Sequence, residues 1–101
     1  MILEVAILDI KQGEAKAFEQ SFSKAQTILA SIQGYRSHQL QKCLENENRY
    51  LLLVNWETLE SHTINFRESE PYQQWKALLH HFYHPFPTVE HYQLITSHSS
   101  N

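Results

Sequence analysis

Arg49 to Trp56, RYLLLVNW, is the stretch on which the fold turns. With the two-residue period of a strand, Tyr50, Leu52, Val54 and Trp56 fall on one face and Leu51, Leu53 and Asn55 on the other. A strand that is apolar on both faces belongs inside a sheet covered on both sides. Ile2 to Ile10, ILEVAILDI, has the same character, with Leu3, Val5 and Ile7 set against Ile2, Ala6, Leu8 and Ile10. Tyr35 to Cys43 is extended in type but polar on both faces, and Thr88 to Thr96 alternates. These two read as edge strands.

Between the strands the period changes. In Glu14 to Gln33, Ala15, Phe18, Phe22, Ala25, Leu29 and Ile32 recur every three or four residues, which predicts a one-sided helix with Gly34 at its C-terminal cap. Glu45 to Asn48 is a turn cluster. Thr58 to Tyr83 is helical in pattern but is interrupted at Glu70-Pro71, because proline suits the first turn of a new helix and disfavours helical geometry in the residue before it. The order is βαββαβ, an α+β ferredoxin-like arrangement: a four-stranded antiparallel sheet with two helices on one face. Right-handed crossovers put the first and third strands in the middle, which are the two strands apolar on both faces. The helices cover only one side, so the other calls for a second copy packed sheet against sheet, a homodimer.

Composition sets the remaining bounds. A chain of 101 residues has room for one core, so 1–101 is expected to be a single domain, with 97–101 a frayed tail. Apolar residues are 42% and charged residues 19%, ordinary for a globular chain. Net charge is −3 with no basic stripe, which argues against nucleic acid. No apolar run approaches the ~20 residues that span a bilayer, so no membrane partner is expected. Met1 to Ile10 carries Glu4 and Asp9 without a basic leader, and Cys43 has no second thiol, so a cytoplasmic protein is expected.

Chemistry concentrates in Asn55 to Tyr92, which holds both tryptophans and five of the seven histidines. Trp56 is either core or a flat wall for an aromatic ligand. Tyr72 and Trp75 lie on the inward stripe of the last helix with Leu78, Leu79 and Phe82. His62 follows Trp56 closely enough to approach the same cavity, and an imidazole suits proton abstraction near neutral pH. Arg67 could stabilise an oxyanion or pair with Glu68 or Glu70. His91, on the last strand, reads mainly as structural. His80 and His84 have the i, i+4 spacing of a zinc clamp, but a helical wheel anchored at Trp75 turns them and His81 outward, with no acid or thiol nearby, so no metal is expected.

These residues resemble a known group, the antibiotic biosynthesis monooxygenase family of dimeric α+β barrel proteins. The resemblance runs through Val54-Asn55-Trp56-Glu57, His62-Thr63, Phe66-Arg67, Ser69, Tyr72, Trp75, Leu78-Leu79, Phe82-Tyr83, Pro85-Phe86-Pro87 and Val89-Glu90-His91-Tyr92. Haem-degrading members share a tryptophan like Trp56, but their first-strand asparagine and helical histidine fall at about Ala6 and at Trp75 to Lys76 here, so a haem cofactor is not implied. His80 or His81 could supply a ligand only from one turn further on.

The cofactor-free members imply a monooxygenase acting on a quinol or hydroxylated polycyclic aromatic. His62 would accept the proton and Asn55 or Arg67 would stabilise the anion. Trp56, Phe66, Tyr72, Trp75 and His91 would line the substrate site. Strand alternation opposes one part of this, because Asn55 and Trp56 must face opposite ways. The competing reading is a binding module without catalysis, or one whose pocket is filled by its own side chains. The discriminating quantity is a cavity volume above or below ~300 Å³.

Overall fold

β1 (Ile2–Asp9) and β3 (Arg49–Trp56) pair antiparallel along their whole lengths, from Ile2 opposite Trp56 to Asp9 opposite Arg49. In this computed structural model, which describes residues 1–100, β2 (Tyr35–Lys42) flanks β3 and β4 (Val89–Gln93) flanks β1. The sheet order is β2-β3-β1-β4, so the two doubly apolar strands are central, as their pattern predicts. β4 is shorter than its alternation suggests. Gln93 already faces Ile2, the first residue of β1, and Leu94 to Thr96 have no strand left to pair with.

α1 (Ala15–Ala30) buries Phe18, Phe22, Ala25 and Leu29. It stops three residues before the predicted end at Gln33 because the backbone tightens there. The N–H of Ser31 and Ile32 reach back only to Ile28 and Leu29, at 3.1 and 3.3 Å, and Gly34 at φ +94° turns the chain into β2. After β3 comes a single π-helical turn, Ser61–Phe66, whose wider ring is closed by Arg67 N–H to the His62 carbonyl at 3.1 Å. Ser69 then caps α2 (Glu70–Leu79): its Oγ accepts the Tyr72 N–H at 3.2 Å, with Pro71 in the first turn. A short 3₁₀ turn, His80–Phe82, follows.

Both helices cover the sheet face that carries Ala6, Leu8, Tyr50, Leu52, Val54 and Trp56, and those side chains are buried with Phe18, Phe22, Leu29, Trp75 and Leu79 in one core. Each large side chain removed from water here contributes about 1.5–3 kcal/mol. The opposite face has no such cover. Leu3, Val5, Leu51 and Leu53 are only partly buried there, and Ile7 is half exposed.

Among the described residues no helix is long and apolar enough to cross a membrane. Residues 94–100 lie outside any helix or strand and are exposed. The expected tail 97–101 falls in that segment, except Asn101, which lies outside the described residues.

Candidate functional site

Glu4 interrupts the apolar face of β1. The pleat that turns Ala6 and Leu8 toward the helices turns Glu4 the same way, and the residue is buried at 6% exposure. Sheet register then places Val54 on one side of it and His91 on the other. A carboxyl taken from water needs partners. The Trp56 Nε1–H donates to Glu4 Oε1 at 2.9 Å, and His62 Nε2 stands 3.5 Å from the same oxygen. His62 Nδ1 lies 2.7 Å from His91 Nε2. Glu4, His62 and His91 therefore form a row, contributed by β1, the π-helical turn and β4.

The His62 ring lies nearly parallel to the Trp56 indole, with centroids 5.5 Å apart and planes at 23°. Phe66, one π turn further along, stands 6.1 Å from His62 and edge-on to Tyr72 and Trp75 at 5.0 and 5.5 Å. Between this aromatic group and the sheet is a cavity of about 390 Å³. Its floor is Ala6, Leu8 and Leu52, its inner end is Glu4 and His62, and Arg67, His80 and Phe86 stand around it. The volume exceeds the ~300 Å³ at the lower end for small-molecule sites, so the aromatic side chains do not fill the pocket themselves.

The electrostatics at the inner end follow from burial. His62 is pushed down from 6.5 to about 3, first by loss of water and then by the positive charges of Arg67 and His91. Burial raises Glu4 above the ordinary carboxyl value, opposed by the Trp56 N–H and the Arg67 charge. His91 is also pushed down, by burial and then Arg67. With His62 neutral, the 3.5 Å contact with Glu4 in the free protein is a dipolar contact and not a salt bridge.

The fold brings His62, Arg67, Phe66, Tyr72 and Trp75 together on this cavity, and His91 reaches it through His62. Two other candidates stand elsewhere. Trp56 is wholly buried beneath His62, with its N–H engaged by Glu4, so it supports the site from behind and is not a wall. Asn55 is on the opposite face of the sheet, where its Nδ2 donates to Ser37 Oγ at 3.0 Å and its neighbours are Leu3, Val5 and Tyr92. The pleat that turns Trp56 inward turns Asn55 away, which removes it from the cavity. Arg67 pairs with neither Glu68 nor Glu70, and among the described residues it makes no ion pair.

Two cavity residues escaped the sequence reading. The helical wheel turns His80 toward solvent, but α2 ends at Leu79, whose φ of −122° departs from helical geometry, and His80 stands on the cavity wall against Tyr72 at 6.0 Å and Phe86 at 4.9 Å. His81 and His84 do face solvent. Among the described residues no group of three or more His, Cys, Asp or Glu is placed to hold a metal ion. Glu4 was the other omission. Its signal was present in the alternation of β1, where one carboxylate shares a face with Ile2, Ala6, Leu8 and Ile10.

Comparison with known proteins places this geometry among relatives. A family model described as antibiotic biosynthesis monooxygenase matches residues 1–78. The uncharacterized protein YczJ of Bacillus subtilis is 56% identical over 93 residues, covering 92% of this chain and 98% of its own. A crystal structure from Bordetella bronchiseptica, of a protein in the same family, superposes with a TM-score of 0.90 at 29% identity, covering 94% of this chain and 97% of that one. SnoaB, a cofactor-independent oxygenase from Streptomyces nogalater, superposes with a TM-score of 0.72 at 18% identity, covering 98% and 94% of the two chains. At that identity the likeness is one of fold.

Proposed function

The chain belongs to the antibiotic biosynthesis monooxygenase family, and from that premise we propose that it is a cofactor-independent monooxygenase of a quinol or hydroxylated polycyclic aromatic. Residues 1–101 would act as one domain, in the cytoplasm and as a homodimer joined through the uncovered sheet face. The observation that carries the reading is the cavity of about 390 Å³, with Ala6, Leu8 and Leu52 along its floor, Phe66, Tyr72 and Trp75 along its wall, and Glu4, His62, Arg67 and His80 as polar groups in its lining. SnoaB lends support as a fold relative described as a cofactor-independent oxygenase.

The chemistry suits such a site. An anthrone-type substrate loses a proton to the protein, and the resulting electron-rich anion reduces O₂. One oxygen atom becomes the new carbonyl and the other leaves as water, while the substrate methylene gives up both hydrogens. The protein contributes orientation, exclusion of water and charge stabilisation. Phe66, Tyr72 and Trp75 hold the rings, Arg67 faces the developing anion, and Glu4, His62 and His91 provide the proton-handling end.

The experiment is oxygen uptake with a panel of anthrones and naphthohydroquinones, with product identified after aerobic and anaerobic incubation. The expected result is uptake above the buffer rate and one oxygen atom from ¹⁸O₂ in the product. Binding without uptake would leave a ligand-binding module and overturn the enzyme reading.

A further inference from the structure

We propose that Glu4 is the catalytic base of this cavity and that His62 is its positioning residue. The assignment rests on the monooxygenase reading above and departs from the more obvious choice, the histidine. The geometry separates the two roles. Both ring nitrogens of His62 face protein groups, Nδ1 toward His91 at 2.7 Å and Nε2 toward Glu4 at 3.5 Å, and its face lies on Trp56. To meet a substrate through nitrogen, the imidazole would have to leave all three contacts. Glu4 needs no such movement. It is the one carboxylate lining the cavity, Oε1 is held by the Trp56 N–H, and no protein donor reaches Oε2 among the described residues.

The groups facing Glu4 suit a base. His62 and Arg67 approach from the π-helical turn, Tyr72 from α2, His80 and Tyr83 from the 3₁₀ segment and His91 from β4. Arg67 alone among them is charged at neutral pH, and its cation supports both the Glu4 carboxylate and the substrate anion.

The proton balance closes within the site. A substrate C–H or O–H bond breaks, an O–H bond forms on Glu4, and the electron pair stays on the substrate. The carbanion and O₂ form a C–O bond, and Glu4 returns the first proton to the distal peroxide oxygen. The second C–H proton then passes to Glu4 as the carbonyl forms and the O–O bond breaks, and Glu4 gives it to the departing hydroxide, which leaves as water. No proton has to cross the protein, which fits a base that is buried but lines the cavity.

The test uses 1,8-dihydroxyanthrone and three proteins: wild type, Glu4→Gln and His62→Gln. Gln at position 4 keeps an oxygen for the Trp56 N–H, and near-ultraviolet circular dichroism of the tryptophans checks that packing is retained. The expected result for Glu4→Gln is a fall of kcat by about 100-fold or more, with KM changed less than about threefold and the acid limb of the pH profile gone. His62→Gln should keep that limb but shift it. The reverse pattern, with the limb abolished by His62→Gln and kept by Glu4→Gln, overturns the assignment.

A second measurement does not depend on turnover. On anaerobic addition of 2-naphthol, the ¹³C carboxyl resonance of Glu4 should move while the ring ¹⁵N resonances of His62 stay in place. If wild type ionises no anthrone yet shows this response, the monooxygenase reading fails and the assignment of the proton-accepting group stands. Movement at His62 alone, or no response to either compound, overturns the assignment.

Discussion

The Trp56 Nε1–H donates to Glu4 Oε1 over 2.9 Å, joining β3 to β1 inside the core, where neither residue is more than 6% exposed. This hydrogen bond fixes the oxygen that faces His62 and leaves the other oxygen of Glu4 available to a ligand. The indole also supplies the surface on which His62 rests. One core residue thus positions two site residues.

Trp56→Phe is therefore expected to act on both stability and the site. A smaller ring leaves unfilled volume, and Glu4 loses its donor while remaining buried, which together should lower stability by about 2–4 kcal/mol. Without the N–H that opposes burial, the Glu4 carboxyl should titrate higher still. Urea denaturation checks the first effect and ¹³C titration of Glu4 the second. An unchanged titration would show that the hydrogen bond does not hold the carboxylate.

Stability should also fall with acid, for a reason located at His62. Its folded value of about 3 lies below the ordinary 6.5, so the folded protein binds fewer protons than the unfolded chain, and stability present above pH 6.5 is lost as the pH falls from 6.5 toward 3. His38, His80 and His91 are displaced in the same direction and add to the loss. Glu4 has the opposite sign: raised above 4.5, it contributes stability that is full below pH 4.5 and lost as pH rises through its folded value. Urea midpoints should drop between pH 7 and pH 5 in wild type, and His62→Phe should flatten that slope. A wild-type midpoint constant over this range would contradict a buried neutral imidazole.

The uncovered sheet face makes a separate prediction. Val5 and Leu53 are opposed in the β1 and β3 register and point away from the helices, near the centre of that face. Leu53→Glu places a charge where a second sheet would pack, and desolvating it unpaired is costly. Sedimentation at micromolar concentration should find wild type dimeric and Leu53→Glu monomeric. A monomeric wild type would mean that the face is covered in some other way.

The fold was more legible in the sequence than the site, and particular residues show why. A strand's burial is written in its own alternation, so RYLLLVNW and ILEVAILDI announce central strands without reference to anything distant, and Pro71 announces the restart of the helix. The site is assembled across elements. His91 meets His62 through the β1 to β4 register, which alternation alone does not specify. His80 stands at the cavity past a break in the backbone at Leu79, where φ is −122°, and a wheel of constant pitch cannot see that break. Glu4 was visible as a misplaced charge, but its meaning depended on Trp56, 52 positions away in the chain.

Gly34 supplies the last test, because it sits behind the site at the start of β2. Its φ is +94°, and a Cβ built there would lie 2.2 Å from Ser61 Oγ and 2.6 Å from Ser61 Cβ, in the residue next to His62. Gly34→Ala therefore meets two costs, a left-handed backbone of about 1–2 kcal/mol and a collision relieved only by moving the π-helical turn. The expected loss is about 2–4 kcal/mol with a displaced His62. The double variant Gly34→Ala with Ser61→Gly removes both colliding atoms but keeps the backbone strain, so it should restore the His62 ring ¹⁵N resonances more fully than it restores the urea midpoint. If Gly34→Ala alone leaves those resonances in place, the turn is not held by this contact, and the position of His62 is set by Trp56 and His91.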